Sequence, residues 1–216
     1  MKVAITGSTG MVGGEILNLC LQSCEIKNII SFVRKPTSNK TQDKLSSIVV
    51  SDFEDYSEYA EELKNVDMAF FCIGVYTGKV KDDLFKKITV NYAVEFAKAL
   101  KKNSPKATLC LLSGAGADRS EKSRTSFARY KGMAENQVAE LGLNFYSFRP
   151  GYIYPVEPRK EPNLMYRISR SLYPLIRLFG KNTSIKSTEL AQAMLNVGRN
   201  GASKEMLENR DILTYV

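Results

Sequence analysis

The chain has 216 residues, 44% of them hydrophobic, and a formal charge of +8. That is enough apolar material for one sizeable domain, and no apolar run approaches the roughly 20 residues of a membrane-spanning helix. There is no histidine, which excludes Ser-His-Asp catalysis and leaves any proton transfer to Tyr, Lys, Cys, Asp or Glu.

Residues 1–5 are an apolar, β-branched run that leads into Thr6-Gly7-Ser8-Thr9-Gly10-Met11-Val12-Gly13 and then into helical spacing at Ile16, Leu17, Leu19 and Leu21. A strand, a glycine loop and a helix start are the arrangement that holds a dinucleotide pyrophosphate. Gly7 is expected to turn the chain off the strand, Gly10 to let the backbone approach the phosphates, and Gly13 to let the helix pack close to the sheet. The second strand is read at 28–33, followed by a polar loop at 36–43. The third strand is expected at 48–50 and a short acidic helix at 56–63. Strand four spans 68–73 and ends at Gly74. A long helix covers 82–101, with Leu84, Ile88, Ala93, Val94 and Ala97 on helical spacing. Strand five (107–112), a helix at 125–141 and strand six (145–148) complete the alternation.

The strands are apolar throughout rather than alternating, as in a parallel sheet covered on both faces. The fold class is therefore α/β, a doubly wound parallel sheet (Rossmann), as a single domain over residues 1–216. Its ligand belongs at the carboxyl ends of the strands. From Arg149 on, the chain carries Pro150, Pro155, Pro158, Pro162 and Pro174, then a helix near 187–199. Residues 150–216 are expected to contribute a small substrate-covering lobe.

Cys20, Cys24, Cys72 and Cys110 lack paired metal-ligand spacing, so reduced thiols and no metal are expected. The first strand starts at once, and the expected location is cytoplasmic. Basic residues are spread along the chain, at Arg34-Lys35, 79–87, Lys101-Lys102 and 159–177, without a nucleic-acid motif. The expected partner is a small-molecule substrate, with no nucleic acid and no membrane span; a protein partner or a homodimer stays open.

Thr6 to Gly13 resembles the TGxxGxxG signature of the extended and atypical short-chain dehydrogenase/reductases. Val50-Ser51-Asp52-Phe53, Phe71-Cys72-Ile73-Gly74, Leu111-Leu112-Ser113, Gly116-Ala117-Asp118, Lys131-Gly132, Phe148-Arg149-Pro150-Gly151 and Met206-Leu207-Glu208-Asn209 are similar to the atypical group that contains Tat-interacting-oxidoreductase-like and NmrA-like proteins. The resemblance implies a bound NADP. It places Gly7, Ser8, Thr9, Gly10, Met11, Val12 and Gly13 at the phosphates, Asp52 and Phe53 beside the adenine, and Cys72, Ile73, Gly74, Pro150 and Gly151 along the cofactor. Family members that prefer NAD carry an acid at the end of strand two. Here Arg34 and Lys35 stand there, unable to accept ribose hydrogen bonds but suited to a 2′-phosphate, so NADP is expected over NAD.

The family's chemistry runs through a Tyr-x-x-x-Lys pair and a serine after strand five. Lys131 matches the lysine, which the resemblance implies lowers the tyrosine pKa and also binds the cofactor by holding its ribose; Ser113 is a candidate serine, with Gly114 where relatives often carry a second one. The residue four before Lys131 is Phe127, which has no proton to give. Tyr130 is a substitute candidate, although it lies about 100° round the helix from Lys131. Two functions are implied: an NADPH-dependent reductase of a small substrate using Lys131, Ser113 and Tyr130, or an NADP-binding redox sensor without turnover. The substrate pocket is expected to draw on Tyr76, Tyr130, Tyr152, Tyr154 and the 164–179 segment.

Overall fold

The opening apolar run becomes β1 (Lys2–Thr6), and the glycine loop delivers the chain into helix α1 (Met11–Gln22). This computed structural model describes residues 1–36, 43–157, 180 and 182–216. The expected pocket segment at 164–179, the basic residues at 159–177 and Pro158, Pro162 and Pro174 lie outside the described residues.

The further strands are β2 (Asn28–Val33), β3 (Leu45–Val49), β4 (Met68–Phe71), β5 (Thr108–Leu112), β6 (Asn144–Arg149), β7 (Tyr152–Tyr154), β8 (Ser184–Lys186) and β9 (Met206–Glu208). Among the described residues seven of them form one sheet in the order β3-β2-β1-β4-β5-β6-β9, with every neighbouring pair parallel. Parallel neighbours need crossovers. Helices supply most of them: α1, α2 (Asp82–Lys86), α3 (Tyr92–Asn103), α4 (Ser126–Glu140) and α5 (Ser187–Asn200). A short α6 (Asn209–Ile212) follows β9.

The helices cover both faces. Ala4, Phe32, Ala69, Phe71, Leu109 and Leu111 point to the side packed by α3 and α4. Val3, Ile5, Met68, Phe70 and Cys110 point the other way, toward α1 and α5. Successive side chains thus leave each strand on opposite faces and both are buried, which is why the strands read as unbroken apolar runs.

Two expectations are corrected. The acidic helix at 56–63 is a single 3-10 turn, Ser57–Tyr59, in a segment whose Tyr56 and Leu63 are buried and whose Tyr59 packs its ring against Phe32. The helix read at 82–101 is interrupted by one wide π turn, Lys87–Asn91, joining α2 to α3. Both ends of that turn hold one carboxylate: Lys87 pairs with Glu54, and Asn91 Nδ2 donates to Glu54 Oε1 at 2.7 Å.

Of the expected C-terminal lobe, residues 150–157, 180 and 182–216 are described, and Pro150, Gly151, Ile153 and Pro155 of it line the cavity while its later elements join the main body. β9 extends the sheet beside β6, and α5 buries Leu190, Ala191, Met194 and Val197 in the core against α1. Among the described residues, the β7–β8 pair alone stands outside the main sheet.

Candidate functional site

The strand order reverses at β1, whose neighbours β2 and β4 lead away in opposite directions. The crevice at the carboxyl ends of β1 and β4 is where a doubly wound sheet binds its ligand. The glycine loop fills one side of it. Gly7 has φ +77°, and a Cβ on it would lie 2.7 Å from the carbonyl carbon of Cys72, so both its backbone angle and its contact with the end of β4 demand glycine. A Cβ on Gly13 would meet the Gly7 carbonyl oxygen at 2.2 Å. Gly13 therefore lets α1 pack against the loop itself, closer than the sheet contact expected for it. Gly10 is the N-cap of α1, with no side chain capping it and no acid in the first turn. The helix start is left open to an anionic group, and the cradle fits a pyrophosphate.

A cavity of about 490 Å³ opens from this point. It is walled by Gly10, Met11 and Val12 of α1, by the loop from Cys72 to Thr77 after β4, by Leu112 to Ala115 after β5, by Phe127 and Lys131 of α4, and by Pro150, Gly151, Ile153 and Pro155. It brings together, from the expected site, Gly10, Met11, Val12, Cys72, Ile73, Gly74, Ser113, Lys131, Pro150 and Gly151. Tyr76 also lines it; Tyr130, Tyr152 and Tyr154 do not. Val75, Thr77, Ala115, Ile153 and Pro155 were not read from the sequence, where loop residues and a three-residue strand carry no periodic signal.

Lys131 reaches the cavity from α4 and donates from Nζ to the Leu112 carbonyl at 2.9 Å. Burial lowers its pKa from 10.5 to about 8, with the Glu135 carboxylate and the Cys72 thiol opposing that shift. Cys72 is pushed up to about 12 by burial, which keeps it a neutral thiol; nearby Lys131 pulls the other way. The Ser113 hydroxyl is buried, lines the same cavity and has no hydrogen-bond partner.

Phe127 also faces the cavity, one turn before Lys131. A Cβ on Gly114 would lie only 2.6 Å from Cζ, the tip of the Phe127 ring. The tip is where a tyrosine would carry its hydroxyl. Position 114 is therefore the one whose side chain would meet that hydroxyl, and Ser113 is its neighbour. A serine–tyrosine pair at 114 and 127 is absent as a pair: glycine and phenylalanine fill the same space together.

Tyr130 does not take over. Its ring packs against Phe85, with centroids 5.9 Å apart, and its hydroxyl donates to Asp82 Oδ2 at 2.5 Å. Asp82 Oδ1 accepts from Ser126 Oγ at 2.6 Å. The expectation of a catalytic Tyr130 is corrected: the helix turns it to α2, and it holds the first turns of α4 in place. Phe53 is likewise core, 4% exposed and tilted against Tyr92, so it packs within the fold and does not line the cavity. Asp52 is exposed, and its carboxylate accepts from the Glu54 N–H at 3.0 Å. Arg34 and Lys35 are exposed just past the carboxyl end of β2, on the glycine-loop side of the sheet. Ser8 and Thr9 complete the loop; Ser8 Oγ lies 2.6 Å from Ser31 Oγ of β2 in a buried pairing.

Behind the cavity lies a network that the sequence did not signal. Glu135, one turn beyond Lys131, is fully buried. Arg149 binds it with two nitrogens, Nε to Oε1 at 2.9 Å and Nη2 to Oε2 at 2.5 Å, and reaches Glu208 at 3.0 Å. Ser147 Oγ adds a bond to Glu135 Oε1 at 2.7 Å. The fork geometry matches the carboxylate and holds the Arg149 pKa up. The arginine of the Arg-Pro-Gly segment thus ties β6 to α4 and β9.

A doubly wound parallel sheet with a glycine-cradled helix start at its switch point defines a dinucleotide-binding protein. Residues 7–199 match the model of the NAD(P)H-binding family, and the chain belongs to that family. Its relatives include the protein named FMP52, mitochondrial, of Candida albicans, 30% identical over 165 residues that cover 74% of this chain and 70% of that one. The FMP52 of Emericella nidulans is 31% identical over 170 residues, covering 74% and 70%. The Debaryomyces hansenii protein is 31% identical over 145 residues, covering 65% of this chain and 61% of its own length. Among solved structures, Gre2 of Candida albicans in complex with NADPH superposes with a TM-score of 0.71 at 12% identity, over 96% of this chain and 77% of that one. WbmH of Bordetella bronchiseptica in complex with NAD+ gives 0.71 at 17% identity, over 95% and 74%. These share the fold. The relatives' names say mitochondrial, which does not match the cytoplasmic expectation; among the described residues no helix is long and apolar enough to cross a membrane.

Proposed function

We propose that the chain is an NADPH-dependent reductase of a small, largely apolar acceptor held in the cavity beside the dinucleotide. The observation that carries this reading is one cavity joining the first turn of α1 to the Lys131 ammonium and the unpartnered Ser113 hydroxyl. A buried hydroxyl without a partner costs about 1–3 kcal/mol, and a ligand oxygen would satisfy it. When bound, NADPH supplies a hydride. The chain's own residues do the rest. The glycine loop and the start of α1 hold the pyrophosphate, and Arg34 and Lys35 receive the 2′-phosphate. Val75, Phe127, Ile153 and Pro155 form apolar walls that keep water from the acceptor.

Phe127 favours a second reading, in which the chain binds NADP(H) as a sensor of its redox state without turnover. One experiment separates the two. NADPH and NADH are titrated by calorimetry, and NADPH absorbance is then followed with a panel of small aldehydes and ketones. Tighter binding of NADPH with acceptor-dependent consumption supports the reductase. Binding without consumption across the panel replaces it with the sensor, and no binding of either nucleotide overturns both.

A further inference from the structure

We infer that Lys131 itself gives the proton to the acceptor's oxygen, with the Ser113 hydroxyl holding that oxygen beside it. The inference rests on the reductase reading above and names the group that completes it.

The argument starts from what the cavity lacks. A hydroxyl on the residue-127 ring would stand against residue 114, and neither position carries one: Phe127 Cζ fills the space that a Gly114 side chain would need. Tyr130 has its hydroxyl on Asp82 and does not line the cavity. Tyr76 lines the cavity from the loop after β4, not from α4 or the end of β5 that carry Lys131 and Ser113. Burial pushes the Cys72 thiol up to about 12, which makes it a weaker acid than the Lys131 ammonium, and the Ser113 hydroxyl is weaker still. The cation on the α4 face is the remaining proton source at that corner.

Geometry places Lys131 for the task. An ammonium has three donors. One goes to the Leu112 carbonyl at 2.9 Å, which fixes Nζ at the carboxyl end of β5, next to Ser113. Two donors remain for a ligand. The groups facing Nζ are the Cys72 thiol from the end of β4, the Glu135 carboxylate from α4 with its Arg149 partner, and the Leu112 carbonyl from β5. Burial lowers the Lys131 pKa to about 8, so the ammonium is charged at neutral pH yet acidic enough to release a proton.

The step balances. Hydride adds to the carbonyl carbon, the C=O π pair moves to oxygen, and an N–H bond of Lys131 breaks as an O–H bond forms. The acceptor is reduced by two electrons and the dinucleotide oxidised by two. Lys131 is left as the neutral amine and regains its proton from water. The acceptor class is a small aldehyde or ketone with an apolar body, matching a polar corner in an apolar cavity.

The test uses the full chain and the variants Lys131→Arg, Lys131→Met and Tyr130→Phe. Arginine keeps the charge and donors but does not release a proton. The first readout is independent of turnover: the lysines are reductively ¹³C-methylated and titrated by NMR without nucleotide. One resonance is expected to titrate near 8 and to vanish in Lys131→Met. The second is NADPH affinity, expected to stay within about tenfold in Lys131→Arg. The third is turnover of benzaldehyde, 4-nitrobenzaldehyde and cyclohexanone. A lost general acid typically costs about 10²–10⁴-fold, so both Lys131 variants are expected to fall by that factor. The parent rate should decline above the Lys131 titration, and Tyr130→Phe should stay within about twofold of the parent. Turnover near the parent level in Lys131→Arg overturns the inference and leaves the reductase reading standing. So does a Lys131 resonance titrating near the ordinary lysine value. NADPH binding with no turnover of any acceptor by the parent overturns both.

Discussion

Gly114 and Phe127 should behave as one unit, and a double-mutant cycle tests it. In Gly114→Ala the new Cβ would start 2.6 Å from the ring tip. Carbon atoms prefer about 3.5–4.0 Å, so the ring has to withdraw by about 1 Å. Phe127 packs against the core cluster and lies between residue 114 and α4, so that shift presses on close-packed neighbours. Overpacking of this kind costs about 1–3 kcal/mol. For a chain of this length that lowers Tm by roughly 2–12 °C. In a Phe127→Ala background the ring is gone and Gly114→Ala should cost almost nothing. The coupling energy between the two, read from urea midpoints of the parent, both single variants and the double variant, is therefore expected at about 1–3 kcal/mol. Additivity within about 0.5 kcal/mol would show that residue 114 does not meet the ring, and the case for a paired loss of serine and tyrosine would fail with it.

Gly10→Val should leave the fold intact, since a Cβ there meets only the Gly7 carbonyl at 3.1 Å, while NADPH affinity by calorimetry drops at least about tenfold; unchanged affinity would put the phosphates elsewhere. Arg34→Ala should weaken NADPH about tenfold or more and leave NADH nearly unchanged, because one charge-assisted bond to the 2′-phosphate contributes about 1.5–3 kcal/mol; equal weakening of both counts against that contact. Glu135→Gln breaks a buried ion pair and should cost about 3–5 kcal/mol, seen as a fall in Tm of roughly 6–20 °C; a change of a degree or two would mean that Arg149 finds another partner. Stability against Lys131→Met should depend on pH. Below about 8 Lys131 is charged in both folded and unfolded chains and its burial cost is present in full; between about 8 and 10.5 the unfolded chain holds more protons, so the parent gains stability as pH rises. Parallel pH curves for parent and variant would rule out a buried Lys131.

The parallel sheet was legible because both of its faces are covered. Strands such as Met68-Ala69-Phe70-Phe71 sit in the middle of it and are apolar at every position, which no exposed strand can be. The three-residue strands were not legible for the opposite reason. Tyr152–Tyr154, Ser184–Lys186 and Met206–Glu208 are too short to show a period; the first two pair with each other and the third with the longer β6, contacts that join residues far apart in the chain. In the site, the glycine loop was legible because backbone constraints act on adjacent residues. Phe127 was legible as a departure from a family pattern, but its contact with Gly114 was not. That contact joins residues 13 positions apart, and only the packing of α4 over the end of β5 brings them together. The Glu135–Arg149–Glu208 network was hidden in the same way, since nothing local marks a glutamate in a helix as buried.

Phe127, Lys131 and Glu135 follow one another at four-residue spacing and so share one face of α4. They descend from an apolar wall, through a cation at the floor of the cavity, to a fully buried carboxylate. Both oxygens of that carboxylate bind Arg149. Lys131 stands beside an acid already bound to Arg149; burial lowers the Lys131 pKa to about 8, outweighing the upward pull of that carboxylate. In a helix with tyrosine at 127, the hydroxyl would stand between this cation and the acceptor. With phenylalanine there and glycine opposite, no polar side chain of 114 or 127 separates them. Lys131 still lines the cavity one turn beyond Phe127, so the loss at position 127 does not by itself argue that the site has lost its chemistry.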